Sequence, residues 1–146
     1  TEEGKAARQA ALDRCAQLEK LKAFFVESVQ KEVKAKGSYA YGWMGSLDIL
    51  GASAAAVEIR GSKVAWNKVP IQQMITFIRH CIKDAQELGR KERSVMSLAA
   101  AVYFYESSGG DKRALAQAAR YAGDAIALDA ELKREAERLM PDLALP

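Results

Sequence analysis

The sequence has few of the residues on which metal and nucleophilic sites depend: two cysteines and one histidine among 146 residues. Cys15 and Cys81 lie far apart, form no CxxC pair and have no histidine at ligand spacing, so their pattern does not indicate a zinc site. We expect two buried free thiols, or a single disulfide if the domain is exported. Neither a metal nor a cofactor is expected.

Enzyme motifs are also missing. The chain contains no GxxxxGK[ST] phosphate loop and no GxSxG, HExxH or EF-hand spacing. The only histidine, His80, stands between Arg79 and Cys81 with no carboxylate adjacent in the sequence. This setting favours a partly exposed structural role over a catalytic one. No catalytic residue is therefore predicted.

Long apolar runs are absent too. No run approaches the roughly 20 residues that span a bilayer, and the N-terminus lacks the apolar core of a signal peptide. We therefore expect a soluble chain without membrane insertion. Because it opens with Thr1, we interpret it as a processed chain or a domain of a larger protein, and the compartment is left open between cytoplasmic and exported.

Neither sign of charge is in large excess. The 22 basic and 19 acidic residues give a formal net charge of +3 and are mixed along the chain, whereas a nucleic-acid-binding domain is usually more strongly basic. Binding to nucleic acid is not expected. With 49% apolar residues and the length of one typical domain, residues 1–146 are predicted to form a single domain with its own core.

Proline is absent from the first segment, Glu2 to Lys36, which is rich in Ala, Leu, Lys, Gln and Glu and is predicted to be one long helix. We expect it to pack against the rest of the domain; the alternative is a stalk or a dimer interface. Its apolar residues recur at spacings of three and four and define one stripe: Cys15, Leu18, Leu21, Phe25, Val29 and Val33.

Glycine and aromatic residues are concentrated in GSYAYGWMGS, residues 37–46, where the helix must end. Tyr39, Tyr41 and Trp43 alternate, which fits either a short irregular strand or a loop whose rings cover the core. Core cover is the favoured interpretation because aromatic side chains are usually buried. If the domain has a ligand or peptide site, this segment is where we expect it.

A β-hairpin is predicted from the alternating runs AVEIR and KVAWNKVP, separated by Gly61 and Ser62. With those two residues in the turn, Arg60 faces Lys63, Ile59 faces Val64, Glu58 faces Ala65 and Val57 faces Trp66, so the apolar side chains share one face. Residues 47–51 are predicted to add a third strand, with Ile49 directed inward. Trp66 is interpreted first as a packing anchor.

Helical spacing of apolar residues predicts four further helices: 70–89, opened by Pro70; 93–107; 112–128, capped by Asp111; and 130–140, capped by Asp129. The fold class is therefore mostly α with α+β character. A long N-terminal helix (1–36) is followed by a hairpin or three-stranded sheet (37–69), a helical part with a repeat-like αα-hairpin (70–140) and a short tail (141–146).

The phrases SLAAAVYFYESSGGD and AARYAGDAIALDAEL resemble one tetratricopeptide-type repeat, covering about residues 93–132, with Ala130 in place of the usual proline. The phrase VAWNKVP after the hairpin, followed by helices, is similar to accessory domains of large multidomain bacterial proteins of unassigned role. These resemblances imply a helical interaction module, and they supply no catalytic residues.

Three hypotheses follow for function. The leading one is a noncatalytic module that binds a protein or peptide, and the second is a structural or self-associating domain that uses the apolar stripe of the N-terminal helix. The third is a small-ligand or enzymatic domain, which requires a pocket where Tyr39, His80 and a carboxylate converge. The candidate binding residues are all aromatic: Tyr39, Tyr41, Trp43, Tyr103 and Tyr105.

Overall fold

The computed structural model describes the backbone of residues 1–43, 47–59 and 62–145, and within these ranges all side chains except those of residues 40–43 and 47–48. The fold is mostly α with α+β character, as predicted. Its elements, in chain order, are α1 (Glu2–Lys36), β1 (Tyr39–Trp43), β2 (Leu47–Ala52), β3 (Ala56–Ile59), β4 (Ser62–Ala65), α2 (Ile71–Ile78), α3 (Arg90–Ser107), α4 (Lys112–Leu128) and α5 (Leu132–Leu139).

These elements form two compact units. Unit 1 comprises Thr1–Leu21 and Glu87–Pro146, and unit 2 comprises Lys22–Gln86. The long helix α1 contributes residues to both. The single domain expected from the sequence stays a prediction.

The sheet of unit 2 has four antiparallel strands in the order β1-β2-β3-β4, one more than the largest sheet predicted. The additional strand is β1, whose sequence fits either a short strand or a loop. Ile49 on β2 is fully buried, as predicted. The sheet therefore begins directly after α1 instead of after an irregular loop.

The pairing of β3 with β4 differs from the predicted register. Val57 pairs with Val64 and Ile59 with Ser62, so Ser62 is the first residue of β4 and not a turn residue, while residues 60–61 lie outside the described part. Each partner is displaced by two residues from the prediction. Because a strand alternates its faces with period two, this even shift leaves Val57 and Val64 on one face, whereas Trp66 falls beyond the strand.

Aromatic rings form the centre of the unit 2 core. The ring of Phe77 on α2 lies 4.9 Å from that of Phe25 on α1, 6.1 Å from that of Trp66 and 5.9 Å from that of Tyr39. Trp66 is the first residue of a short 3₁₀ turn, Trp66–Lys68, that follows β4. Its predicted role as a packing anchor therefore holds, although it acts from a turn.

The helix predicted over residues 70–89 is shorter in the structure. The α-helical part ends at Ile78, and Arg79–Lys83 continue as a π-helical turn in which the amide of Asp84 donates to the carbonyl of Arg79 at 3.0 Å. A π turn contains one residue more than an α-helical turn, so the side chains after it point in directions different from those of an uninterrupted α-helix. Cys81 and Ile82 are buried within this turn.

The apolar stripe of α1 is buried only in part. Leu21, Phe25 and Val29 are buried, whereas Leu18 and Val33 are half-buried and Cys15 is exposed. The prediction of two buried thiols was therefore wrong for Cys15 and correct for Cys81. Both thiols are free, so the alternative of a disulfide is not realised.

In unit 1, α3 and α4 form the predicted αα-hairpin. Gly109 and Gly110 connect them with φ values of +52° and +89°, a conformation that glycine adopts without strain. Asp111 then caps α4, since its Oδ1 accepts the amides of Arg113 at 2.7 Å and Ala114 at 3.1 Å. The connection and α4 fold as their local signals predict, whereas α3 begins at Arg90, three residues before the predicted start, since the amide of Arg93 already donates to the carbonyl of Gly89 at 2.8 Å.

Small side chains line the contact between α3 and α4. Ala118, Ala122 and Ala125 on α4 are fully buried, which allows the two helices to approach closely. The prediction missed the aromatic pair of this hairpin: Phe104 is fully buried and stacks on Tyr121 with ring centroids 5.7 Å apart.

The last helix, α5, is held against the start of α1 by ion pairs. Arg138 donates to Asp13 at 2.7 Å and to Glu135 at 2.6 Å, and this contact lowers the pKa of the Asp13 carboxyl. α5 begins at Leu132, two residues later than predicted, because the carboxylate of Asp129 caps a turn by accepting the amide of Glu131 at 3.1 Å.

Candidate functional site

The structure places Tyr39, the first predicted binding residue, in the core of unit 2. Its side chain is only 4% exposed, and its hydroxyl shares a 3.1 Å hydrogen bond with the thiol of Cys81, in which either group can donate. Tyr39 therefore covers the core, which was the favoured interpretation, and is not a surface-binding residue. Tyr41 and Trp43 belong to β1, but their side chains lie outside the described residues.

Tyr103 and Tyr105 lie on α3 in unit 1 and are both half-buried. Residues two apart on a helix do not share a face, so these rings do not form one aromatic platform. The hydroxyl of Tyr105 donates to Asp142 at 3.4 Å, and burial followed by the charge of Asp142 raises its pKa. Burial also raises the pKa of Tyr103.

Tyr39 and His80 do converge, as the enzymatic hypothesis required, with ring centroids 5.3 Å apart. They meet beside Cys81, where Tyr39 and Cys81 are buried and His80 is half-buried. Burial raises the pKa of the Cys81 thiol to about 12, so this thiol stays protonated and unreactive at neutral pH. The cluster is a packing feature of unit 2.

An open cleft lies elsewhere in unit 2. It has a volume of about 380 Å³, at the lower end of the range of roughly 300–1,000 Å³ typical of ligand pockets. The C-terminal turns of α1 line it, together with the β2–β3 hairpin and one residue of β4. We define this cleft by its lining residues: Gln30, Val33, Lys34, Gly51, Ala52, Ser53, Ala56, Val57, Glu58 and Lys63.

One wall of the cleft is fixed by hydrogen bonds from two directions. The side-chain amide of Gln30 on α1 donates to the carbonyl of Ala52 at 3.0 Å, and the indole of Trp66 donates to the carbonyl of Ser53 at 2.7 Å. The amide of Ser53 also donates to the carbonyl of Ala56 at 2.8 Å and closes the hairpin turn. This wall is therefore preorganised, which reduces the ordering cost of binding.

A β-bulge shapes the same hairpin beside this wall. Ile49 pairs with Ile59, but Gly51 pairs with Glu58, so β2 has one extra residue at Leu50. Gly51 has no side chain, and a Cβ there would lie 3.3 Å from Glu58 Oε2. The glycine consequently leaves space beside the Glu58 side chain, and this space is part of the cleft.

The chemistry of the cleft is mixed. Val33 and Ala52, which are half-buried, supply apolar surface, while Lys34, Glu58 and Lys63 are exposed and supply charge. Such a combination of apolar surface and a few charged groups is typical of recognition sites. Among the described residues, no group of three or more His, Cys, Asp or Glu side chains is placed to hold a metal ion.

The sequence analysis missed the cleft, although a signal was present. Residues 51–56 read GASAAA, a run of small side chains where the prediction had a strand end and a connection. Glycine within a strand often marks a bulge or the close approach of another backbone. The run could have identified one wall, but nothing in the sequence pairs it with Gln30 on α1.

No protein-family model matches the chain, and no curated protein or solved structure is significantly similar to it. Within the described ranges, no helix has the length and apolarity needed to cross a bilayer.

Proposed function

We propose that the chain is a noncatalytic interaction module that binds a peptide segment of a partner protein in the cleft. The observation that carries this proposal is the preorganised wall at Ala52, Ser53 and Ala56, held by Gln30 from α1 and by Trp66. A fixed wall of small side chains lets a peptide backbone approach closely, and the charged groups nearby can orient it.

The αα-hairpin of α3 and α4 supports the same class of function. Its alanine-lined contact and its Gly109–Gly110 connection are features of helical repeats, which serve mainly as scaffolds for interaction. We assign the hairpin a scaffold role because Phe104 and Tyr121, its largest aromatic pair, are buried.

The rival hypothesis of self-association through the apolar stripe of α1 is less well supported. Leu21, Phe25 and Val29, at the centre of that stripe, are buried within the chain, so they are not available to a second copy without opening the fold. Leu12 is 64% exposed, but a single exposed leucine is common on protein surfaces.

The test is a selection of peptides from a random phage-displayed library on the immobilised full chain, followed by affinity measurements with the enriched peptides. Ala52→Leu fills the cleft and should weaken binding about tenfold or more. Ala55→Leu introduces the same side chain at an exposed position of the same hairpin that does not line the cleft, and it should leave binding within about twofold.

Thermal unfolding of both variants checks that each remains folded. Failure to enrich any peptide would contradict the proposal. So would enriched peptides that bind the folded Ala52→Leu variant as tightly as the wild type.

A further inference from the structure

Positive charge is unevenly distributed between the two units. Unit 2, residues 22–86, has nine Lys and Arg against five Asp and Glu, a formal net charge of +4. Unit 1 contains the remaining 13 basic and 14 acidic residues, a net charge of −1. The basic character of the whole chain therefore belongs to the unit that contains the cleft.

Within the cleft, lysines come from two separate elements. Lys34 belongs to the last turn of α1 and Lys63 to β4, and both side chains are exposed. Glu58 is the one carboxylate among the lining residues and is the cross-strand partner of Lys63. The lining thus has a surplus of one positive charge, with lysines contributed by both the helix and the sheet.

The end of α1 adds to this surplus. Lys31 and Lys36 flank Lys34 in the last two turns, where Glu32 pairs with Lys36 at 3.5 Å. The negative end of the helix dipole, equivalent to roughly half a charge, opposes anion binding here. Beyond Lys34, which is already counted in the lining, Lys31 and Lys36 against Glu32 add one positive charge, which exceeds that half charge, so the net charge around the cleft favours a negatively charged ligand.

The small side chains of the hairpin bear on the conformation of the ligand, because they let a peptide backbone approach the cleft closely. An extended chain can place alternate side chains in the same space. An extended ligand is therefore the better fit to the wall formed by Gly51, Ala52 and Ala56.

We infer that the cleft binds an acidic peptide segment in an extended conformation, with its carboxylates near Lys34 and Lys63. This inference rests on the proposed function, since it specifies the class of peptide that the module recognises. Electrostatic complementarity of this kind contributes mainly to specificity and to the association rate.

The experiment is peptide selection on three forms of the full chain: wild type, the double variant Lys34→Glu/Lys63→Glu, and Lys68→Glu. Lys68 is an exposed residue of unit 2 that does not line the cleft, so its reversal changes the unit charge without changing the lining. Peptides enriched on wild type should contain more Asp and Glu than the starting library, and peptides enriched on the double variant should lose this excess.

The most enriched peptide is then synthesised and its affinity measured at low and high salt. We expect each of Lys34→Glu and Lys63→Glu to weaken binding about tenfold, with the loss reduced by salt, and Lys68→Glu to change it less than about twofold. A single-stranded oligonucleotide is included as a competing polyanion.

The outcomes separate the inference from the proposed function. Enriched peptides of neutral or basic composition that still lose affinity with Ala52→Leu would overturn the acidic specificity and leave the peptide-binding module standing. Failure to enrich any peptide would overturn both. An oligonucleotide that displaces the acidic peptide and binds more tightly would overturn the inference in favour of a general polyanion site.

Discussion

The indole nitrogen of Trp66 donates a 2.7 Å hydrogen bond to the carbonyl oxygen of Ser53. The same indole packs against Phe25 and Phe77, with ring centroids 6.1 Å from each. One side chain therefore joins the core of unit 2 to the wall of the cleft, which connects the stability of this unit with the shape of the proposed binding site.

Trp66→Phe tests this connection because it retains an aromatic ring and removes the N–H donor together with part of the indole ring. We expect the free energy of unfolding to fall by more than the roughly 1 kcal/mol of one hydrogen bond, because packed ring volume is lost as well, and peptide affinity to fall as the wall loses the support of Trp66. Urea denaturation and peptide titration measure the two effects. Unchanged affinity in this variant would show that the wall does not depend on Trp66.

The two thiols should differ in reactivity. Cys15 is exposed, whereas Cys81 is buried and its pKa is raised to about 12, so only Cys15 is accessible to a thiol reagent in the native state. A thiol reagent such as DTNB at pH 8 should modify one cysteine per native chain and two in denaturant. Native Cys15→Ser should not react, and rapid modification of Cys81 in that variant would contradict its burial.

Stability should decrease at alkaline pH. Above pH 9 the thiol of Cys81 ionises in the unfolded chain but stays protonated in the fold until about pH 12. The unfolded state then binds fewer protons, so the free energy of unfolding falls by up to about 1.4 kcal/mol per pH unit within this window.

The comparison of wild type with Cys81→Ala isolates this effect. Tyr103 and Tyr105, whose pKa values burial also raises, contribute in the same direction in both proteins. The variant should therefore show a shallower decline between pH 9 and 12, measured by urea denaturation at each pH. Parallel declines would contradict the role of the thiol.

The cap of α4 should be sensitive to loss of its side-chain oxygen. Asp111→Ala removes the acceptor for the amides of Arg113 and Ala114 and should cost about 1 kcal/mol of unfolding free energy. Asp111→Asn keeps an acceptor and should remain close to wild type in thermal and urea denaturation. Equal losses in the two variants would indicate a role for the charge instead of the cap.

The contact between α3 and α4 should reject larger side chains. Ala122 is fully buried, so Ala122→Leu is expected to destabilise the protein by about 1–3 kcal/mol through overpacking. Ala127→Leu makes the same change at an exposed position of the same helix and should alter the unfolding free energy by less than about 0.5 kcal/mol. Tolerance of leucine at 122 would mean that the helices are packed less closely than the structure shows.

Local signals determined much of unit 1 from the sequence. The cap at Asp111, the Gly109–Gly110 connection and the full extent of α4 were predicted because each depends on residues within one or two turns. The aromatic pair Phe104 and Tyr121 was not predicted, and it shows the limit of local sequence signals. A helix with apolar and small residues around its whole circumference does not reveal which aromatic residue faces a partner, and the residues of α3 from 96 to 102 are all buried.

The sequence by itself determined the fold class, the long α1 and which side chains share a face of β3 and β4, since these follow from periodicity. Only the tertiary structure decided the register of β3 with β4, because a shift by two residues leaves the same apolar face and the sequence cannot distinguish the alternatives. It also decided which stripe residues of α1 are covered, and it brought Gln30 to the hairpin at Ala52. That long-range hydrogen bond holds one wall of the cleft, and it depends on the path of the chain and not on any local pattern.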